Sequence, residues 1–400
     1  MKIKIHKSVA NGTIAAPPSK SIAHRALICG ALGGGKVYNI KKSKDILATL
    51  GCLNSLGAEI KEENGAILLK GFNPQNIPEN ALLDCFESGS TLRFFLPICM
   101  LSGKKCTFYG SSRLLSRPLD VYEEICKQEN IEFSNDGEKI TVCGKLSGGE
   151  YSVRGDISSQ FITGLLFALP LCSEDSTLTV TGAFESASYI DLTLLVLKDF
   201  GIDIKRTENV FYIKGGQKYH TCEYTVEGDC SNAAFLDAFN FLGGTVEVTG
   251  LNPSTMQGDR IYKDIFPAIN SRNIQFDLSD CPDLAPVLFS LSAALGGATF
   301  TGTKRLKIKE SDRASAMKQE LSKFGIDVII KENSVTVCGG TLRTPTESLC
   351  SHNDHRIVMA LSLLCTLTGG EIEGAEAVEK SYPEFFEDIK ELGVLLEEIR

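Results

Sequence analysis

Lys309-Glu310-Ser311-Asp312-Arg313 is the densest charged motif in the chain. A carboxylate near a lysine can act as a base, and a second carboxylate as an acid, when burial separates their pKa values. Pro282-Asp283 adds another acid, at the opening of the preceding apolar helix. Taken alone, the charged motif is equally a solvated helix start, with Glu310 and Asp312 at the positive end of the dipole. Joined with Asp283, it becomes a candidate for proton transfer.

Basic residues also recur singly in polar motifs far from this one. These are Pro17-Pro18-Ser19-Lys20-Ser21-Ile22-Ala23-His24-Arg25, Ser116-Arg117-Pro118, Asn353-Asp354-His355-Arg356 and Glu379-Lys380-Ser381-Tyr382-Pro383. A continuous basic face would suit a nucleic-acid backbone. Isolated cations, each beside Ser, Asp or Glu, suit a pocket for a small anion with several negative groups. The formal charge of −9 argues the same way, because a cleft can focus positive potential within an acidic protein. Polar tracts also lead into apolar runs at Ser19-Lys20-Ser21, at Ser88-Gly89-Ser90-Thr91 before Leu92-Arg93, and at Gly155-Asp156-Ile157-Ser158-Ser159-Gln160 before Phe161–Leu169. Each alone is an ordinary helix cap. Three together suggest helix starts that receive an anion.

Two other motifs have plainer explanations. The stretch Gly30–Lys36 matches a P-loop except at its last position, where Val37 replaces the hydroxyl that holds magnesium. A helix precedes it and a strand follows, the reverse of the P-loop order, so a helix cap is expected. His352-Asn353-Asp354-His355 has metal-ligating side chains, but Asn or Asp as an N-cap, with Arg356 in the first turn, accounts for it.

The elements that must position these residues follow a repeat. An apolar helix, a small-residue break and a short strand closing near Gly recur at Ala26–Ile40, Phe94–Gly110, Leu165–Gly182, Ala234–Gly250, Val287–Gly302 and Val358–Gly374. A second helix-to-strand pattern lies between them, at Leu53–Ile60, Leu197–Ile204, Leu321–Val328 and Ile389–Leu396. Gly after an apolar helix suits a left-handed C-cap, and the β-branched residues beyond it suit a strand. Six units of about 70 residues are too long for ordinary solenoid repeats. The expected fold is therefore α/β: two similar domains, each of three βαβαβ-type units. Pro17-Pro18, after a first strand, and the tract Glu223–Asp229 are the expected hinge crossings. They divide the chain into residues 1–16 plus 228–400 and residues 17–227, with the active site expected in the cleft between the domains.

The totals set outer bounds. Four hundred residues, 43% hydrophobic and 23% charged, predict a soluble globular protein of two domains. The sequence pI of about 5.3 disfavours general nucleic-acid binding. The fourteen cysteines never form C-x-x-C and the five histidines are sparse, so neither metal nor cofactor is expected. The opening Met1–Lys7 has no signal-peptide core, and no apolar stretch reaches membrane-spanning length. A reducing, cytoplasmic setting is expected, with cysteines serving as small core residues.

Taken together, the motifs resemble the 5-enolpyruvylshikimate-3-phosphate synthase family over nearly the whole chain, in the family's order. The matches run through Ser19–Arg25, Ser88–Arg93, Ser116–Pro118, Gly155–Phe161, Ser186–Asp191, Val226–Asp229, Pro282-Asp283, Lys309–Arg313, Asn353–Arg356 and Lys380–Pro383. The resemblance implies an enolpyruvyl transferase-like inside-out barrel and transfer of enolpyruvate from phosphoenolpyruvate to the 5-hydroxyl of shikimate 3-phosphate. It assigns shikimate 3-phosphate to Ser21, Arg25, Ser158, Ser159, Gln160, Ser186 and Tyr189, with Asp283 and Lys309 at the reacting hydroxyl. Phosphoenolpyruvate falls to Lys20, Gly89, Arg117, Gln160, Arg313, Arg356 and Lys380. Glu310 matches the acid at the methylene, and the catalytic set is Asp283, Lys309, Glu310 and Lys20. The implied partners are these small anions, with no nucleic acid and no membrane, and the implied state is a monomer.

Three positions depart from the family pattern: Glu87 stands where Asn is usual, Lys307 where Arg is usual, and Ser188 where Pro is common. The sister transferase acting on UDP-N-acetylglucosamine usually has a reactive cysteine before its Arg-Pro pair, and Ser111–Ser116 contains none. Lys20-Ser21 likewise replaces the sister family's Lys-Asn. An idle binding protein of the same fold would not need Lys20, Asp283, Lys309 and Glu310 together.

Overall fold

Five times among the described residues the chain forms the same four-stranded sheet, in which a parallel pair is extended by two antiparallel strands. The computed structural model describes residues 1–269 and 274–399. It divides into two compact units, Pro18–Glu227 and Met1–Pro17 with Gly228–Arg400.

In Pro18–Glu227 the helices are α1 (Lys20–Gly33), α2 (Lys44–Ser55), α3 (Gly89–Met100), α4 (Ser112–Leu115), α5 (Asp120–Gln128), α6 (Ser159–Ala168) and α7 (Ala187–Asp199). The third sheet shows the pattern. Glu150–Arg154 pairs parallel with Ser176–Thr181, which pairs antiparallel with Val210–Ile213, and that strand with Ile204–Thr207. Ala81–Asp84, Cys106–Tyr109, Ile140–Cys143 and Glu132–Asn135 repeat this order. In the first sheet the leading strand, Cys222–Thr225, comes from the far end of the unit and lies beside Gly35–Tyr38.

The other unit carries α8 (Cys230–Asp237), α9 (Tyr262–Ala268), α10 (Ala285–Leu295), α11 (Arg313–Lys323), α12 (His355–Thr368) and α13 (Phe385–Glu391). One sheet is built from Gln275–Asp277, Gly297–Thr301, Ser334–Cys338 and Val328–Ile330. Another joins Leu349–Cys350, Gly370–Glu373, Lys2–Ile5 and Leu396–Ile399, so the first strand of the chain lies between two of the last. The remaining copy is shorter: among the described residues, Asn11–Ala15 and Thr245–Thr249 pair alone.

These sheets explain two differences from expectation. Each full copy is βαβαββ, one strand longer than βαβαβ. Two strands, not one, precede Pro17-Pro18, because Asn11–Ala15 is largely exposed and lacks an alternating pattern.

Burial dictates how the layers stack. The helices α1, α3, α6, α10 and α12 are apolar around most of their circumference and are almost wholly buried. A helix with no polar face belongs in a core. Strands such as Glu150–Arg154 alternate exposed and buried residues, so the sheets lie outside and the helices inside. The sheets remain open. Each unit has its own apolar core, and most of the cysteines are buried.

In the five full copies the second helix ends by one device. Gly57, Gly201, Gly325 and Gly393 have φ of 98°, 84°, 83° and 93°, and Asn130 after α5 has φ of 55°. A left-handed residue lets the chain turn back into a strand while satisfying the last helical carbonyls.

One contact fixes the inner helices of Pro18–Glu227. Tyr122, from α5, donates its hydroxyl to the Arg93 carbonyl at 2.6 Å and the Phe161 carbonyl at 3.2 Å, tying α3 to α6. Gly164 lies beneath this junction, where a methyl group would collide with the Arg93 carbonyl and the Tyr122 hydroxyl. Gly164→Ala is expected to cost about 1–3 kcal/mol, as overpacked cores do, read as a lower urea midpoint for unfolding.

Candidate functional site

Within Pro18–Glu227 the predicted binding residues gather at the starts of α1, α3, α6 and α7. Ser19 is the N-cap of α1, so Lys20 and Ser21 open the helix and Arg25 lies one turn on. Lys20 pairs with Asp45 of α2 at 2.7 Å. Arg25 is 3% exposed, and its hydrogen-bond partners are neutral oxygens. Its Nε donates to Thr193 Oγ1 at 2.8 Å, and Nη1 to the Ser21 carbonyl at 2.6 Å. Nη2 donates to the Tyr189 carbonyl at 3.1 Å and Thr163 Oγ1 at 3.4 Å. Burial pushes this guanidinium down to about 10. A cation buried among neutral dipoles carries a desolvation cost that a charge of opposite sign would offset.

The next turns carry the other groups. Ser88 caps α3 by accepting from Thr91 N–H, which places Gly89 at the first helical position. A methyl group on Gly89 would lie 2.5 Å from Arg117 Nη1, so Arg117 rests directly on the Gly89 backbone. Ser158 caps α6 by accepting from Gln160 N–H at 3.3 Å, with Ser159 and Gln160 in the first turn. Gln160 accepts from Arg93 Nη1 at 2.8 Å and donates to Ser90 Oγ at 3.0 Å. Ser186 precedes α7 with φ of 56°, a left-handed conformation that costs a non-glycine residue about 1 kcal/mol or more. Tyr189 stands in the turn that follows.

In the other unit the predicted residues form a buried ion network centred on Arg313. This side chain is 1% exposed. Its Nε donates to Asp354 Oδ2 at 2.9 Å, Nη1 to Asp283 at 2.8 Å and Nη2 to Glu310 at 2.8 Å. Asp354 also caps α12 through Arg356 N–H and accepts from Ser311 Oγ. Asp283 further meets Arg356 Nη2 at 3.1 Å and Lys309 Nζ at 3.4 Å. Burial would raise the Asp283 carboxyl, but Arg356, Lys309 and Arg313 outweigh it and hold the group well below the usual range. Burial lowers the Lys309 ammonium, while Asp283 opposes that shift. Burial would also lower Arg313, but Asp354, Glu310 and Asp283 hold it well above its ordinary value.

Lys380 joins the network's edge by donating to the Asn353 carbonyl at 2.6 Å. That carbonyl sits in a left-handed pair, His352 with φ of 48° and Asn353 with φ of 54°. Buried Glu320 anchors the pair, accepting from His352 Nε2 at 2.8 Å and Cys350 N–H at 2.9 Å. Burial would raise the Glu320 carboxyl, yet these bonds and Lys323 lower it. The histidine is thus a structural strap beside the network. Among the described residues no three His, Cys, Asp or Glu side chains are placed to hold a metal, and no helix is long and apolar enough to cross a membrane.

The sequence had not singled out Asp45, Arg93, Thr163, Thr193 or Glu320. Arg93 carried a signal, since it ends the tract Ser88–Arg93; the others depend on contacts between distant elements. The unusual residues lie to the side: Glu87 is half-buried before the α3 cap, Lys307 is exposed, and Ser188 is half-buried in the first turn of α7.

Comparison with known proteins places this geometry. Residues 5–389 match the family model of EPSP synthase (3-phosphoshikimate 1-carboxyvinyltransferase). The 3-phosphoshikimate 1-carboxyvinyltransferase of Clostridium kluyveri is 40% identical over 420 residues, covering 99% of this chain and 98% of the relative. That of Clostridium perfringens is 40% identical over 420 residues, covering 99% of each. A solved structure of EPSP synthase from Acinetobacter baumannii shares the fold, with a TM-score of 0.78 at 22% identity over 99% of each chain. The match spans every motif that builds the two residue sets, and the chain belongs to the EPSP synthase family.

Proposed function

We propose that the two residue sets divide one reaction between substrate binding and proton chemistry. The chain is a 3-phosphoshikimate 1-carboxyvinyltransferase of the shikimate pathway. It moves the enolpyruvyl group of phosphoenolpyruvate onto the 5-hydroxyl of shikimate 3-phosphate by addition and elimination, and releases phosphate. On our reading Arg25, with Ser21, Ser158, Ser159, Gln160, Ser186 and Tyr189, receives shikimate 3-phosphate. Lys20, Gly89, Arg117 and Gln160, with Arg313, Arg356 and Lys380, receive phosphoenolpyruvate. The observation that carries the binding assignment is Arg25, a buried cation whose hydrogen-bond partners are neutral oxygens.

The chemistry suits the network around Arg313. The enol carbon of phosphoenolpyruvate that bears the phosphate oxygen becomes electrophilic only as its methylene gains a proton, and Glu310 is the acid that gives it. The attacking hydroxyl must lose a proton. Asp283, with Lys309 Nζ 3.4 Å away, relays that proton. Asp283 then orients the hydroxyl and balances charge. Elimination of phosphate from the tetrahedral adduct reverses these proton movements. For Arg313 to reach phosphoenolpyruvate, the substrate carboxylate replaces one of its present carboxylate partners. The same reading makes the enzyme a cytoplasmic monomer.

The direct test mixes protein with both substrates and follows phosphate. Release with shikimate 3-phosphate is expected; release only with UDP-N-acetylglucosamine would overturn the acceptor. Glu310→Gln is expected to lower kcat about 10²–10⁴-fold, the usual worth of a general acid, with both KM values within a few-fold. Unchanged turnover would remove Glu310 from that role.

A pH dependence follows from Asp283. Its folded pKa lies well below the ordinary 3.8, so its contribution to stability is complete above that value and disappears as the pH falls through the folded pKa. Asp283→Asn should therefore destabilise the protein at neutral pH. The gap in denaturation midpoint between variant and parent should narrow as the pH drops below about 4. A constant gap would contradict the ionised, buried state.

A further inference from the structure

We propose that His24, Thr49 and Thr91 form a buried positioning chain that sets the first turn of α3, and with it the seat of Arg117 on Gly89. His24 Nδ1 lies 2.7 Å from Thr49 Oγ1, which lies 2.8 Å from Thr91 Oγ1. Thr91 Oγ1 in turn lies 2.7 Å from Ser88 Oγ, the α3 cap. All four side chains are at most 1% exposed. Polar groups so deep in an apolar core are costly unless bonded, so each hydrogen has a fixed place.

The direction of the chain can be worked out from its end. Thr91 gives its hydroxyl proton to Ser88, so it accepts from Thr49. Thr49 has then used its own proton and must accept from His24. The imidazole therefore carries a hydrogen on Nδ1. Its other nitrogen, Nε2, is buried and has no hydrogen-bond partner, which suits a bare lone pair better than an N–H. Burial, with Lys20 and Arg25 nearby, holds this ring well below its ordinary pKa.

The chain reaches the four residues assigned to phosphoenolpyruvate in this unit: Lys20, Gly89, Arg117 and Gln160. On α1, Lys20 and His24 are one turn apart; on α2, Asp45 and Thr49 are one turn apart. Lys20–Asp45 and His24–Thr49 are thus successive rungs between these helices. Thr91 extends the second rung to α3. The turn it holds carries Gly89, under Arg117, and Ser90, which accepts from Gln160. The Gly89–Arg117 contact is so close that a slight shift of this turn would displace the guanidinium. His24, Thr49 and Thr91 are positioning residues and touch no substrate.

The inference rests on the reading that Lys20, Gly89 and Arg117 receive phosphoenolpyruvate, and the experiment separates the two. Thr49→Val keeps the shape but breaks both bonds, whereas Thr49→Ser retains them. Thr49→Val is expected to raise KM for phosphoenolpyruvate about tenfold, with KM for shikimate 3-phosphate within about twofold; Thr49→Ser should behave as the parent. Equal KM values for Thr49→Val and parent, or for Thr49→Val and Thr49→Ser, would overturn the proposal. Arg117→Ala is the control. If it leaves KM for phosphoenolpyruvate unchanged, the site reading fails; if it raises KM while Thr49→Val does not, only the positioning chain fails. Should Thr49→Val not fold, nitrogen NMR of histidine-labelled parent protein decides: Nδ1-protonated His24 is expected, and an Nε2-protonated ring would refute the chain.

Discussion

The pairing of Arg313 with Asp354 is the interaction on which the arrangement of Lys309, Glu310 and Arg356 depends. Both side chains are out of water, at 1% and 0% exposure, and neither is stable there without the other. Removing one partner of such a pair costs about 3–5 kcal/mol, because the remaining charge stays buried. Asp354 also caps α12 and holds Ser311, so a single carboxylate fixes the starts of two helices. Those starts carry Arg356 and, through the preceding turn, Lys309 and Glu310. Lys309, Glu310 and Arg356 are thus held by an ion network, not by packing alone.

The other unit solves a similar problem with neutral groups. Arg25 rests on hydroxyls and backbone carbonyls, and His24 stays uncharged within a chain of hydroxyls. Carboxylates around Arg25 would compete with an anionic substrate; neutral oxygens orient the guanidinium without cancelling its charge. Lys20 is the exception, since Asp45 already partners it. The Lys20–Asp45 contact at 2.7 Å fixes the direction of the lysine side chain.

Much of this arrangement was legible in the residues because glycine marks the ends of the repeated helices. Gly57, Gly201, Gly325 and Gly393 identified four copies of the second helix-to-strand pattern. The copy at α5 escaped notice because Asn130 takes the left-handed position instead, one of the few residues able to do so. Asn11–Ala15 was missed for another reason: a short, exposed strand has no apolar alternation to betray it. In the site, Lys20, Gly89, Asp283, Glu310 and Arg313 stand in local motifs. Asp45, Thr163 and Thr193 do not. Their importance arises from helix packing that brings distant turns together, and no local pattern records it.

The sheet containing Lys2–Ile5 has a consequence for how the molecule is made. This strand is made well before both of its neighbours, Gly370–Glu373 and Leu396–Ile399. Its edges must wait until those strands have been made. Pro18–Glu227, by contrast, contains both ends of every sheet it builds and can complete its core while translation continues. Pro18–Glu227 can therefore mature ahead of the unit whose segments flank it, and Asp283, Lys309 and Glu310 acquire their final surroundings after it.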